Sequence, residues 1–133
     1  PAQRVVSSET ARSVVQMMES VTETGGTATR AAVPGYRVAG KTGTAKKANG
    51  KRGYTTGRYQ SVFAGLAPAG NPRLVMVVMV DEPRGKSYYG GIVAAPVFAK
   101  VMEGALRLFN VPPDNPEPSM LLAGGSTVGQ ATP

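Results

Sequence analysis

The segment Lys41-Thr42-Gly43-Thr44 places an ammonium group, two hydroxyls and a glycine within four residues. Side chains alternate along an extended strand, so the Thr42 and Thr44 hydroxyls would lie on one face and could hold a carboxylate. Gly43 lets another extended chain approach closely and pair with the backbone. The Thr44 amide would then be a donor for the negative charge that develops on a carbonyl oxygen during acyl transfer.

Lys41 supplies positive charge to the same segment and offers a route for a proton. Alternation places Lys41 on the face opposite Thr42, so both can serve one site only if the strand forms the edge of a cleft. We therefore predict a site that binds a peptide through Thr42, Gly43 and Thr44. Lys41 and Thr44 are its candidate catalytic residues.

The same residues also match G-x-x-x-x-G-K-T, the pattern of a phosphate-binding loop, with Gly35 as its first glycine. Such a loop needs a helix that begins at its Lys-Thr, because the helix amides must point at the phosphates. The residues after Thr42, "GTAKKANGKRG", contain three glycines and no apolar period, which disfavours a helix. A nucleotide-binding protein is therefore the weaker alternative.

The chain has 133 residues and a formal net charge of +7, which suits one compact domain with a modest core. It contains no histidine and no cysteine, which excludes Ser-His-Asp and Cys-His arrangements and the usual zinc ligands. We expect no metal or cofactor, and lysine is the natural candidate for acid–base work. The longest apolar run, Leu74 to Val80, is too short to span a bilayer. Because the chain starts at Pro1, we expect it to be part of a longer protein.

Basic residues are concentrated between Glu23 and Asp81, where nine lysines and arginines occur without one acid. With Tyr54 and Tyr59 among them, this window could form a basic nucleic-acid-binding module that stacks bases. A solvated connection between two strands is the simpler explanation, and we predict no nucleic-acid partner. A third alternative, an interaction module without catalysis, leaves the residues of Lys41 to Thr44 unexplained.

Five segments have the period of regular secondary structure. We predict a helix at 8–24, strands at about 36–45, 59–67 and 73–81, and a helix at about 94–109. The strand at 73–81 is apolar on both faces, so we expect it to be central and covered on each side. The segment 46–58 is predicted to be a mobile connection, and 111–133, rich in Pro and Gly, a disordered tail.

These elements predict an α+β fold, an antiparallel sheet with helices on both faces, in which residues 1–110 are part of a larger domain. Three segments then resemble, in order, the end of the transpeptidase domain of the cell-division-specific class B penicillin-binding proteins of Gram-negative bacteria. They are "GGTATRAAVPGYRVAGKTGTAKK", "FAGLAPAGNPRLVMVVMVDEP" and "YYGGIVAAPVFAKVMEGALRLFNVPPD". Lys-Thr-Gly is one of the three signature motifs of serine β-lactamases and penicillin-binding proteins.

This resemblance implies a serine β-lactamase-like transpeptidase fold. It also implies a D,D-transpeptidase that cross-links peptidoglycan stem peptides ending in D-Ala-D-Ala through an acyl-serine, in septal wall synthesis, with β-lactams as suicide substrates. Lys41 matches the motif lysine, which in the family contacts the serine of a separate Ser-x-Asn motif. Thr42 and Thr44 match the carboxylate-binding hydroxyls, and the Thr44 amide matches the second oxyanion donor. We assign Tyr88 and Tyr89, in a loop near the cleft of such enzymes, to packing.

The chain lacks two of the three family motifs, since it contains neither Ser-x-x-Lys nor Ser-x-Asn. Both lie upstream of this region in the family, so the isolated chain is predicted to be inactive. The resemblance further implies that its partners are the remainder of the same transpeptidase domain and divisome membrane proteins. It places the protein on the periplasmic side of the bacterial inner membrane, with an anchor outside this chain.

Overall fold

The computed structural model describes residues 3–50 and 53–115 and contains one antiparallel sheet with three α-helices. The elements are helix α1 (Ser8–Glu19), strands β1 (Ala39–Ala48), β2 (Tyr54–Ala67) and β3 (Leu74–Asp81), and helices α2 (Gly90–Val93) and α3 (Ala95–Leu108). The strand order is β1-β2-β3. The α+β class is confirmed. Among the described helices, none has the length and apolarity to cross a membrane.

Helix α1 begins where its sequence predicts and ends earlier. The Ser7 hydroxyl caps it by accepting a hydrogen bond from the Thr10 amide at 3.0 Å. It ends at Glu19 rather than at residue 24, and the next three amides, beginning with Val21, bond carbonyls only three residues back. The β-branched Val21 and Thr22 are poor helix formers, which fits this tightening into turns.

The core lies between the sheet and α3. The Phe63 ring of β2 meets the Phe98 ring of α3 edge-on, with centroids 4.8 Å apart, and Met102 and Leu106 continue the same buried row. At Gly65, a Cβ would lie 2.8 Å from the Phe98 ring. The glycine therefore lets α3 pack directly on β2, the strand that holds β1 in place.

Strand β3 is an edge strand, because β2 occupies the middle of the three-stranded sheet. Its inward side chains pack on the core, whereas Val75, Val77 and Met79 are 74%, 61% and 59% exposed. The prediction that β3 is central and covered on both faces is therefore wrong for the described residues. Its apolar second face indicates a cover that this part of the chain does not supply.

Of the connection predicted to be mobile at 46–58, residues 46–48 instead continue β1 and residues 54–58 belong to β2, with Ala48 paired to Tyr54 after an irregularity in the register. Residues 51 and 52 lie outside the described residues. The Lys47 ammonium donates to the carboxylates of Asp81 and Glu82, each at 2.8 Å. These hydrogen bonds raise the pKa of Lys47 and lower the pKa of both carboxyls. These contacts link the end of β1 to the end of β3. The sequence shows the charges but not that these three residues meet.

Residues 111–115, predicted to begin a disordered tail, pack against the domain. Val111 is buried, and its carbonyl accepts a hydrogen bond from the Tyr36 hydroxyl at 2.6 Å. The Asp114 carboxylate accepts from the Arg37 amide at 2.7 Å and from the Gly70 amide at 3.0 Å. Residues 116–133 lie outside the described residues, so the tail there stays a prediction.

We expect Asp114→Ala to lower the free energy of unfolding by about 2 kcal/mol, because it leaves two backbone amides without their charged acceptor. Chemical denaturation measures the change. Glu23→Ala is the matched control, because in the described part of the chain the Glu23 carboxylate has no hydrogen bond and the residue is exposed. Equal stability of the two variants would show that the hydrogen bonds from the Arg37 and Gly70 amides to Asp114 do not stabilise the domain.

Candidate active site

The segment Lys41 to Thr44 lies inside β1, at the edge of the sheet. Lys41 is opposite Ala64 of β2, and Thr44 is opposite Ser61. Within the described ranges no strand pairs with the other edge of β1. The segment is therefore extended and open along one edge, and the helix that a phosphate-binding loop requires after Lys41-Thr42 is absent from this described stretch.

The two threonines share the face that carries α2 and α3. The Thr42 hydroxyl lies 3.4 Å from the hydroxyl of Thr27, and the Thr44 hydroxyl accepts a hydrogen bond from the Gly90 amide at 3.3 Å. Their hydroxyls therefore stand side by side on one face, two residues apart, as the alternation predicts.

Lys41 leaves β1 on the opposite face, yet its ammonium returns to the strand and donates to the Thr42 carbonyl at 2.9 Å. This long side chain therefore places its charge at the backbone edge, close to the residue that follows it. A groove of about 600 Å³ opens beside Lys41 and Gly40, lined on its other side by Val14, Met17 and Met18 of α1. Lys41 and the threonines can thus reach a single edge from two faces.

The loop from Ser87 to Gly91 packs onto β1 and β2 next to the threonines. The Tyr88 ring stacks on the Tyr59 ring of β2 with centroids 3.9 Å apart. The Tyr89 ring lies beside Tyr88 at 4.6 Å, and the hydrogen bond between their hydroxyls raises the pKa of Tyr89. Because Tyr88 covers one face of the Tyr59 ring, that face is closed to a nucleic-acid base.

Two residues that the sequence interpretation did not single out complete this arrangement. A Cβ on Gly90 would lie 2.2 Å from the Val62 carbonyl oxygen and 2.6 Å from that of Gly43, so only glycine fits there. Ser61 is fully buried, and its hydroxyl donates to the Tyr88 carbonyl at 2.5 Å. The available signals were a Gly-Gly pair before a helix and a serine at a core-facing strand position.

Positive charge borders the threonines on both sides along β1. Lys41 precedes them and Lys46 follows, both are exposed, and Lys46 shares the face of Thr44 by alternation. Two hydroxyls, an open backbone edge and two cations can hold an extended peptide that ends in a carboxylate.

Known proteins match most of this chain. A family model described as the penicillin binding protein transpeptidase domain matches residues 1–103. The probable peptidoglycan D,D-transpeptidase PbpC of Pseudomonas aeruginosa is 49% identical over 113 residues, which are 85% of this chain and 20% of that protein. The peptidoglycan D,D-transpeptidase FtsI of Escherichia coli K12 is 48% identical over 114 residues, 86% of this chain and 19% of that protein.

Among solved structures, the apo transpeptidase domain of Burkholderia pseudomallei penicillin-binding protein 3 matches with a TM-score of 0.78 and 50% sequence identity. The match covers 86% of this chain and 34% of that one. The chain therefore spans about a fifth of the length of the two curated relatives and a third of the solved domain. Because the family model matches most of the chain, the chain belongs to the penicillin-binding-protein transpeptidase domain family.

Proposed function

We propose that this chain is the part of a peptidoglycan D,D-transpeptidase that binds the stem peptide and polarises its terminal amide bond. The observation that carries the proposal is the open edge of β1, where the Lys41 ammonium donates to the Thr42 carbonyl and the hydroxyls of Thr42 and Thr44 lie on one face of the same strand. Relatives about half identical to this chain are named for this activity.

In the proposed complex, the stem peptide pairs with the free edge of β1, and Gly43 permits the close approach. Its terminal carboxylate binds the hydroxyls of Thr42 and Thr44. Backbone groups two residues apart point to the same edge of a strand. The Thr44 amide therefore points to the same edge as the Thr42 carbonyl, to which the Lys41 ammonium donates. One such oxyanion donor contributes about 2.7–4 kcal/mol to lowering the barrier in known hydrolases.

The reaction needs a serine supplied by the upstream part of the domain. Its oxygen bonds to the penultimate D-Ala carbonyl carbon, the amide C–N bond breaks, and the released D-Ala amine takes a proton. A second stem-peptide amine then attacks the acyl-serine, which forms the cross-link and restores the serine. Lys41 supplies charge and a proton route during these steps, and a β-lactam enters by the same acylation.

The remainder of the same domain is the first partner of this chain. The exposed side chains Val75, Val77 and Met79 of β3 give it an apolar face to cover, and the relatives extend well beyond the matched region. For the complete protein we propose a role in septal wall synthesis on the periplasmic side of the inner membrane, with divisome membrane proteins as partners. These last points rest on the family resemblance.

Fluorescent penicillin is expected to label the longer protein covalently and to leave residues 1–133 unlabelled. The longer protein would carry an upstream Ser-x-x-Lys, whereas this chain contains no serine followed three residues later by lysine. In-gel fluorescence after denaturation measures the label, and unlabelled penicillin added first should block it. Labelling of the chain by itself would contradict the division of the site, and an unlabelled longer protein would overturn the proposed function.

A further inference from the structure

We infer that Ser61 is a positioning residue that acts through Tyr88 and Gly90 to hold the Thr44 hydroxyl as a hydrogen-bond donor toward the substrate carboxylate. The inference rests on the proposed function and concerns how its carboxylate site is built. Ser61 does not reach the β1 edge with its own side chain. Its effect passes through the loop from Ser87 to Gly91.

Ser61 is an unusual residue for its position. It is fully buried, and in the described part of the chain it is the one buried residue with a polar side chain. It lies directly opposite Thr44 in the β1–β2 register, on the same face. Burying a hydroxyl costs free energy unless it is hydrogen-bonded, and here the Tyr88 carbonyl accepts its proton at 2.5 Å.

This hydrogen bond anchors the loop at Tyr88, two residues before the Gly90 amide that contacts Thr44. The Tyr88 carbonyl is held by Ser61 while its ring is stacked on Tyr59, so both the backbone and the side chain of Tyr88 are anchored on β2. Two residues further on, the Gly90 amide lies 3.3 Å from the Thr44 hydroxyl oxygen. The position of that amide therefore depends on how Tyr88 is held.

The chemical consequence concerns the direction of one proton. A threonine hydroxyl has one proton to donate and two lone pairs to accept. When the Gly90 amide donates to the Thr44 oxygen, the proton of Thr44 is left for a different acceptor, and a carboxylate that arrives at the β1 edge is such an acceptor. Without the Gly90 bond, the Thr44 hydroxyl is no longer oriented before the substrate binds.

The test compares Ser61→Ala with wild type in the longer protein, using two thioester substrates. One has a carboxymethyl leaving group, and the other has propyl in its place and no carboxylate. We expect Ser61→Ala to raise KM for the carboxylate substrate about three- to tenfold, the size of one hydrogen bond, with kcat nearly unchanged. KM for the propyl substrate should stay at its wild-type value. Ser61→Cys, which keeps a weak donor, should recover part of the loss.

Ser13→Ala is the matched control, because Ser13 is exposed on α1. Equal losses on both substrates, or unchanged KM for both, would overturn the inference while leaving the proposed function in place. If Ser61→Ala does not fold, the same comparison with Ser61→Cys decides. Wild-type protein that acylates with neither substrate would overturn the proposed function, and this inference with it.

Discussion

Replacing Gly90 with alanine is expected to slow β-lactam acylation of the longer protein by about 100-fold or more. The new Cβ would lie 2.2 Å from the Val62 carbonyl oxygen and 2.6 Å from that of Gly43, and both are backbone atoms of the strands that carry the site. The loop, the strands or both must move. A displacement of about 1 Å in a catalytic site can cost about 10²-fold in rate.

Gly85, five residues before Gly90 in the chain, provides the control. Gly85→Ala introduces the same methyl group where the Cβ would have no atom within 4 Å in the described structure. The second-order acylation rate constant should therefore fall for Gly90→Ala and stay near wild type for Gly85→Ala. Thermal unfolding of both variants separates a displaced loop from an unfolded domain. A normal rate in a folded Gly90→Ala protein would show that the loop does not set the geometry of β1.

The local elements could be predicted from sequence because local patterns determine them. The apolar spacing of residues 8–24 predicts a helix that begins where α1 begins, and the alternation around Lys41 predicts a strand. Where the helix ends was less predictable, because its last carbonyls are bonded by turns that lead into a buried Val21. The low helix propensity of Val21 and Thr22 and the tertiary packing of Val21 thus act together at the end of α1.

The position of β3 in the sheet could not be obtained from its composition. An apolar strand indicates that both faces are covered, but it does not say which residues cover them. In the described structure one face of β3 meets the core, and the other exposes Val75, Val77 and Met79. The apolar pattern of β3 fits a larger domain that covers both of its faces. The strand order found here describes only the segment of that domain in this chain.

The candidate site also contains residues that the sequence can indicate and residues that only the fold brings to it. Lys41 to Thr44 could be proposed as a site from sequence because the four residues whose types suit acyl transfer are neighbours. Ser61 and Gly90 could not, because each acts through one contact with a residue distant in sequence: Ser61 through the Tyr88 carbonyl and Gly90 through the Thr44 hydroxyl. Only the fold brings these atoms together.

Lys41→Ala is expected to reduce acylation of the longer protein by about 10²- to 10⁴-fold, the range of a group that transfers a proton in the transition state. Its folding should be unaffected, because Lys41 is exposed and, in the described part of the chain, its ammonium bonds only to the neighbouring Thr42 carbonyl. Lys100→Ala, on the exposed side of α3, is the control for loss of one positive charge. Stopped-flow acylation measures both rates.

Lys41→Arg distinguishes the two roles proposed for the lysine. Arginine keeps the charge but stays protonated, so it can attract a carboxylate and cannot serve as a proton route. A rate close to wild type in Lys41→Arg would assign the lysine an electrostatic role alone, whereas a rate as low as that of Lys41→Ala would favour proton transfer. A folded Lys41→Ala protein that acylates at the wild-type rate would remove Lys41 from the reaction and leave the hydroxyls and amide of β1 as the contribution of this strand.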